Sequence, residues 1–137
     1  MAQSNCPGGD FINETLSGTN VQTGRISRDG TAATCTGKTF PGLTTNTEDF
    51  FYDTYTYSNI ATIPTCVTID FDPTMGSNPC SDGTTVFDAH IVAYSDLYNP
   101  ADLSQNYLGD IGNSNAGSFN VELPAGSDLV IAVSSTT

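Results

Sequence analysis

The chain has no tryptophan, one histidine and one lysine; Lys38, Arg25 and Arg28 are its whole basic complement against 15 acids in 137 residues. A net charge of −12 repels phosphate backbones and so excludes nucleic acid as a partner. The same repulsion argues against anionic membrane surfaces. No apolar run approaches transmembrane length, so no membrane insertion by a helix is expected. Four cysteines, Cys6, Cys35, Cys66 and Cys80, contain no CxxC pair, and one histidine cannot complete a zinc site.

Catalytic signatures are missing as well. A serine or cysteine nucleophile needs a base, and His90 is the one candidate; it alternates with Ala89 and Ile91 and shares a face with Asp88, which reads as a solvent-facing position in mid-strand. There is no GxSxG elbow and no HExxH helix. The carboxylates include no pair marked out for glycoside hydrolysis. Gly37-Lys38-Thr39 ends like a phosphate-binding loop, but the glycine that loop needs five positions earlier is Ala32. No enzyme is expected.

What is present points to an all-β domain. Gly, Ser, Thr, Asn and Asp dominate, a mixture suited to short strands joined by tight turns. A chain of this length buries roughly two-thirds of its unfolded surface, enough for one domain over residues 1–137 with 1–9 as an N-terminal arm. Turn signals recur at 7–9, 17–19, 28–30, 40–42, 81–83 and 124–126. They predict strands near 10–17, 21–27, 50–58, 65–72, 84–95, 117–123 and 128–134. Val67, Ile69 and Phe71 alternate with Thr68, Asp70 and Asp72; Phe119, Val121 and Leu123 alternate with Ser118, Asn120 and Glu122. Such period-two runs give a sheet one core face and one wet face. The last strand, Leu129 to Val133, is apolar on both faces and asks for neighbours and cover. Residues 99–108 carry the one helical hint, with Asn99 as cap and Pro100 at the first helical position.

The even cysteine count favours disulfides in an oxidising compartment. Three pairings are open, and Cys6–Cys35 with Cys66–Cys80 is the expected one, because each would clip neighbouring strands or the loop between them. Calcium is the candidate cofactor, since it takes carboxylate and carbonyl oxygens gathered by loops. Acids cluster at Glu48, Asp49 and Asp53 and along Asp96, Asp102 and Asp110, with the amide of Asn113 after them. Asp49, Asp53, Asp96 and Asp110 are the ligands put forward. Asp70-x-Asp72 opens like an EF-hand loop, but Thr74, Met75 and the lack of a closing Glu break the pattern. Asn13-Glu14-Thr15 is a glycosylation sequon.

Taken in order, TGRISRDG, CTGKTFPG, FYDTYTYSN, CVTIDFD, AHIVAYSDLYNPADLSQNYLGDIGNS and FNVELPAGSDLVIAVSS resemble the bacterial pre-peptidase C-terminal domain and its relatives. The resemblance covers roughly residues 10 to 135. It implies a jelly-roll-like β-sandwich, not itself catalytic, carried by secreted proteases and cell-surface proteins; with the strands and cysteines read above, the expected fold is a disulfide-clipped antiparallel sandwich of about seven or eight strands. Some relatives bind calcium or insoluble polymers; the chain lacks their acidic motif, so no ligand set transfers. Tyr107 and Leu108 would pack the NYLGDIGNS loop on the sandwich, and Asp110 would order the turn after it. Relatives continue past the LVIAV-type strand into a closing strand, whereas this chain stops at Thr137.

The expected function is therefore an extracellular binding, adhesion or accessory module, secreted or at the cell surface, acting on an extracellular polymer or other protein subunits. MAQSNC reads as a mature N-terminus with an added Met. One alternative is a filament subunit that self-assembles by strand complementation through its C-terminal strand region. Another is a carbohydrate-binding module with a platform drawn from Tyr52, Tyr55, Tyr57, Tyr94 and Tyr98.

Overall fold

The period-two runs become strands in the computed structural model, which describes residues 16–73 and 89–136. In chain order these are β1 (Asn20–Thr23), β2 (Asp49–Tyr57), β3 (Thr65–Phe71), β4 (Ala89–Ser95), β5 (Tyr107–Asp110), β6 (Gly117–Leu123) and β7 (Leu129–Ser135). Two antiparallel sheets result, one ordered β1-β2-β7-β4-β5 and one formed by β3 and β6. No helix occurs among the described residues. The fold is an all-β sandwich. Cys6, Cys80, the sequon and most of the strand expected at 10–17 lie outside the described residues, as does the first half of that expected at 84–95.

Register follows the alternation read from the sequence. Val67 opposes Val121 and Ile69 opposes Phe119 across β3 and β6. Their shared face meets Ile91, Ala93, Leu129 and Ile131 of the larger sheet to make the inter-sheet core. The opposite face of that sheet is covered too. Ile26, Phe40, Tyr98 and Leu103, from the long connections, pack on Val92, Tyr94, Val130 and Ala132. Strands buried on both sides read as continuous apolar runs, and β4 and β7 do so for this reason.

The terminal strand has the neighbours that its two apolar faces ask for: β7 sits at the centre of the sheet, paired with β2 from Tyr52↔Ser134 to Tyr57↔Leu129 and with β4 from Ala89↔Ser135 to Ser95↔Leu129. Neither of its edges is free for another chain. Residues 99–108 form turns and then β5 rather than a helix, because Asn99 and Asp102 bond the backbone two residues on, at Ala101 and Ser104, and Asn106 takes a φ of 60°. The strand expected at 21–27 stops at Thr23, where Gly24 turns with a φ of 74°; beyond it Ile26 makes a single bridge to Leu43.

One irregular segment closes the seam between the sheets. Ala33 donates its N–H to the Asp110 carbonyl of β5 and accepts from Asn120 N–H of β6, while Gly30 N–H bonds the Gly112 carbonyl. Two residues on, Cys35 is joined to Cys66 of β3, with Cα atoms 5.7 Å apart. The expected Cys6–Cys35 and Cys66–Cys80 pairing is thus overturned. Proximity in sequence misled, because β6 brings β3 beside the 30–35 segment.

Candidate functional site

The densest polar constellation lies where that segment crosses β5. Lys38 Nζ spends its three donors on Asp29 Oδ1 at 2.8 Å, the Thr31 carbonyl at 2.5 Å and Asp110 Oδ1 at 3.0 Å. Lys38 and Asp110 expose 7% and 0% of their side chains. Asp110 Oδ1 also accepts Gly112 N–H at 2.6 Å, and Tyr107 O–H donates to Oδ2. The turn after Asp110 is ordered by this carboxylate, as expected of it. Burial pushes the Asp110 carboxyl up, but the pull of His90, Tyr107 and Lys38 outweighs it and leaves the group below the usual carboxylate range. Burial, then the bond to Asp110, pushes the Tyr107 hydroxyl up, so it stays a donor.

His90 is corrected from its expected place. It is 1% exposed, on the covered face of β4, with Nε2 3.4 Å from Asp110 Oδ1 and outside hydrogen-bond geometry. Beside it a space of about 10 Å³, lined by Gln22, His90, Tyr94, Tyr98 and Ser134 among others, has room for one water molecule and no substrate. Lys38, read in the sequence only as the end of a failed phosphate loop, is the buried cation of this site. Its partner is 72 positions away, so no local signal could have found the pair.

The four carboxylates put forward for calcium are not brought together. Asp49 accepts from Thr23 Oγ1 at 2.9 Å, and Asp53 from the backbone and hydroxyl of Ser17, both at 2.6 Å. Asp96, at a φ of 63°, caps the start of β7 by accepting Asp128 N–H. Asp110 faces the Lys38 ammonium where a metal ion would have to stand. Among the described residues no three His, Cys, Asp or Glu side chains gather as a metal group.

The tyrosines do not form an exposed platform either. Tyr94 is buried and Tyr52, Tyr55, Tyr57 and Tyr98 are half-buried. Tyr52, Tyr98, Tyr94, Tyr107 and Phe40 instead follow one another edge to face, with centroids 5.0 to 6.3 Å apart, under the long connections.

Exposed apolar side chains collect elsewhere. The β2–β3 connection presents Ile60 at 96% and Ile63 at 68% exposure, and Leu97, just past β4, is 59% exposed. All three sit at the sandwich end where β2, β4 and β6 finish and β3 and β7 begin. This end is framed by polar bonds: Gly126 N–H to the Ala61 carbonyl at 2.9 Å, Asn59 N–H to Asp128 Oδ1 at 3.2 Å and Asp96 N–H to the Asp128 carbonyl at 2.8 Å. Asn59 Oδ1 accepts from Ala61 N–H as well. No helix among the described residues is long and apolar enough to cross a membrane. The chain matches no protein-family model, no curated protein and no solved structure.

Proposed function

We propose that the protein is a non-catalytic extracellular module that binds through the loop end carrying Ile60, Ile63 and Leu97. The observation that carries this reading is the pairing of strong apolar exposure with a hydrogen-bonded frame. Loops on one end of a sandwich are a recurrent place for recognition. Apolar side chains held in water by a fixed backbone lose little entropy when a partner covers them. The chain's charge of −12 makes a neutral or basic surface the fitting partner, either an extracellular polymer or another protein.

The disulfide and the buried, saturated Lys38 site support the same reading. Asp110 is fully enclosed, which suits a scaffold and leaves no approach for a substrate. The test is retention on insoluble collagen, cellulose and chitin, with Ile60→Asp/Ile63→Asp as comparison. The expected result is retention on one of them, lost in the double variant while its melting temperature stays within a degree or two. Equal retention of both proteins, or none by the native chain, overturns the proposal.

A further inference from the structure

We propose that Lys38 and Asp110 become joined by an intramolecular amide bond that the protein forms on itself, releasing one water. The ion pair described above is the precursor. Its Nζ and Oδ1 stand 3.0 Å apart, so the amine is held against the carboxyl group whose carbon it would attack, without a search through solvent. In water an amine and a carboxylate remain a solvated ion pair. Enclosure changes that balance, because two charges withdrawn from solvent cost free energy that a neutral amide does not.

Three neighbours are placed for the steps. Asp29 Oδ1, 2.8 Å from Nζ, accepts the ammonium proton and frees the lone pair; its side chain is 37% exposed and passes the proton to solvent. Tyr107 O–H, bonded to Oδ2, gives that oxygen a first proton and recovers one from solvent, so that a neutral amine faces a neutral carboxyl. Nζ then attacks the Asp110 carboxyl carbon, and Asp29 takes a second proton from the nitrogen. Gly112 N–H, 2.6 Å from Oδ1, stabilises the charge that gathers there, as an oxyanion donor does. Tyr107 delivers a second proton to Oδ2 as it departs and again recovers one from solvent. The Nζ–carbon bond forms and the carbon–Oδ2 bond breaks. Of the three ammonium hydrogens one stays on the amide; the other two leave by way of Asp29 and are matched by the two protons that Oδ2 carries off as water. No oxidant, reductant or co-reactant takes part.

The bond would tie the segment over the seam to β5, as Cys35–Cys66 ties it to β3, and reducing conditions would not undo it. It does not depend on what the loop end binds. The test uses the native protein, held folded overnight at neutral pH, then denatured, reduced and alkylated. Trypsin has three sites, Arg25, Arg28 and Lys38, and an acylated lysine is not cut. The expected result is an intact mass lighter by one water than the Lys38→Arg variant after allowing for the substitution. The Lys38–Thr39 bond should resist cleavage, and fragments should join residues 38 and 110. Asp29→Asn should leave more than nine-tenths of the molecules unlinked. Full mass with ready cleavage after Lys38 in the native protein overturns the proposal, whether or not either variant folds.

Discussion

Gly109 of β5 has no room for a side chain, and replacing it with alanine gives a sharp test of how the seam is packed. A Cβ built there would fall on the Ala33 methyl group and within 3.0 Å of Val121 Cγ1. Ala33 cannot yield easily, since its N–H and carbonyl bond β5 and β6. Overpacking of a tight interior costs typically about 1–3 kcal/mol. Loss of either seam hydrogen bond adds about 1 kcal/mol. Gly109→Ala should therefore cost about 2–4 kcal/mol, a large share of the roughly 5–15 kcal/mol that holds most domains folded. With no tryptophan in the chain, urea unfolding followed by far-ultraviolet circular dichroism is the assay. The decisive arm is Gly109→Ala with Ala33→Gly, which removes the opposing methyl. That pair should recover about 1–3 kcal/mol relative to the sum of the single costs. A Gly109→Ala penalty below about 0.5 kcal/mol, or strictly additive single costs, would refute the packing argument.

Replacing Cys35 and Cys66 together by alanine should cost about 3–4 kcal/mol, the chain entropy released by opening a loop of 31 residues' separation; a non-reducing peptide map should join these two cysteines, and a Cys6–Cys35 peptide would contradict the fold. Tyr94→Phe keeps the ring but strands the Leu103 carbonyl that its hydroxyl bonds at 3.0 Å, so a loss of about 1–2 kcal/mol is expected in the same unfolding assay. The Asp102 carboxyl is held below its ordinary value by the Ser104 hydroxyl, then by the Ser104 N–H. Its contribution is therefore complete above the unfolded carboxylate value and is lost as pH falls through the lower folded one. An NMR titration should place its midpoint below the usual range, and Ser104→Ala should raise it; a midpoint indifferent to that change would count against the turn.

Legibility in the sequence tracked the locality of the cause. Phe119, Val121 and Leu123 were readable as core because alternation along one strand is a local fact, and their burial follows it. β7 was readable as covered on both faces, but which strands flank it was not, since β2 and β4 come from distant parts of the chain. His90 looked solvated because alternation along the sequence groups it with Asp88; it is buried beside a space that Gln22 and Ile26, far back in the chain, also line. Tyr107 to Asp110 were hidden in a turn-rich stretch too short for a strand signal. The candidate site fared worst. Lys38 stood out for the wrong reason, and Asp110 was one acid among fifteen, with nothing local to set it apart as the buried partner.

The central place of β7 bears on the order in which the larger sheet can form. Among the described residues the pairs β1-β2 and β4-β5 are joined by strand pairing through β7 alone, and β7 is the last of the seven strands in chain order. Until it is in place the two halves share no ladder, and the contacts that join them span long stretches of chain, which makes closure slow. The sheet is thus completed in one late step, when β7 enters between two halves already paired within themselves.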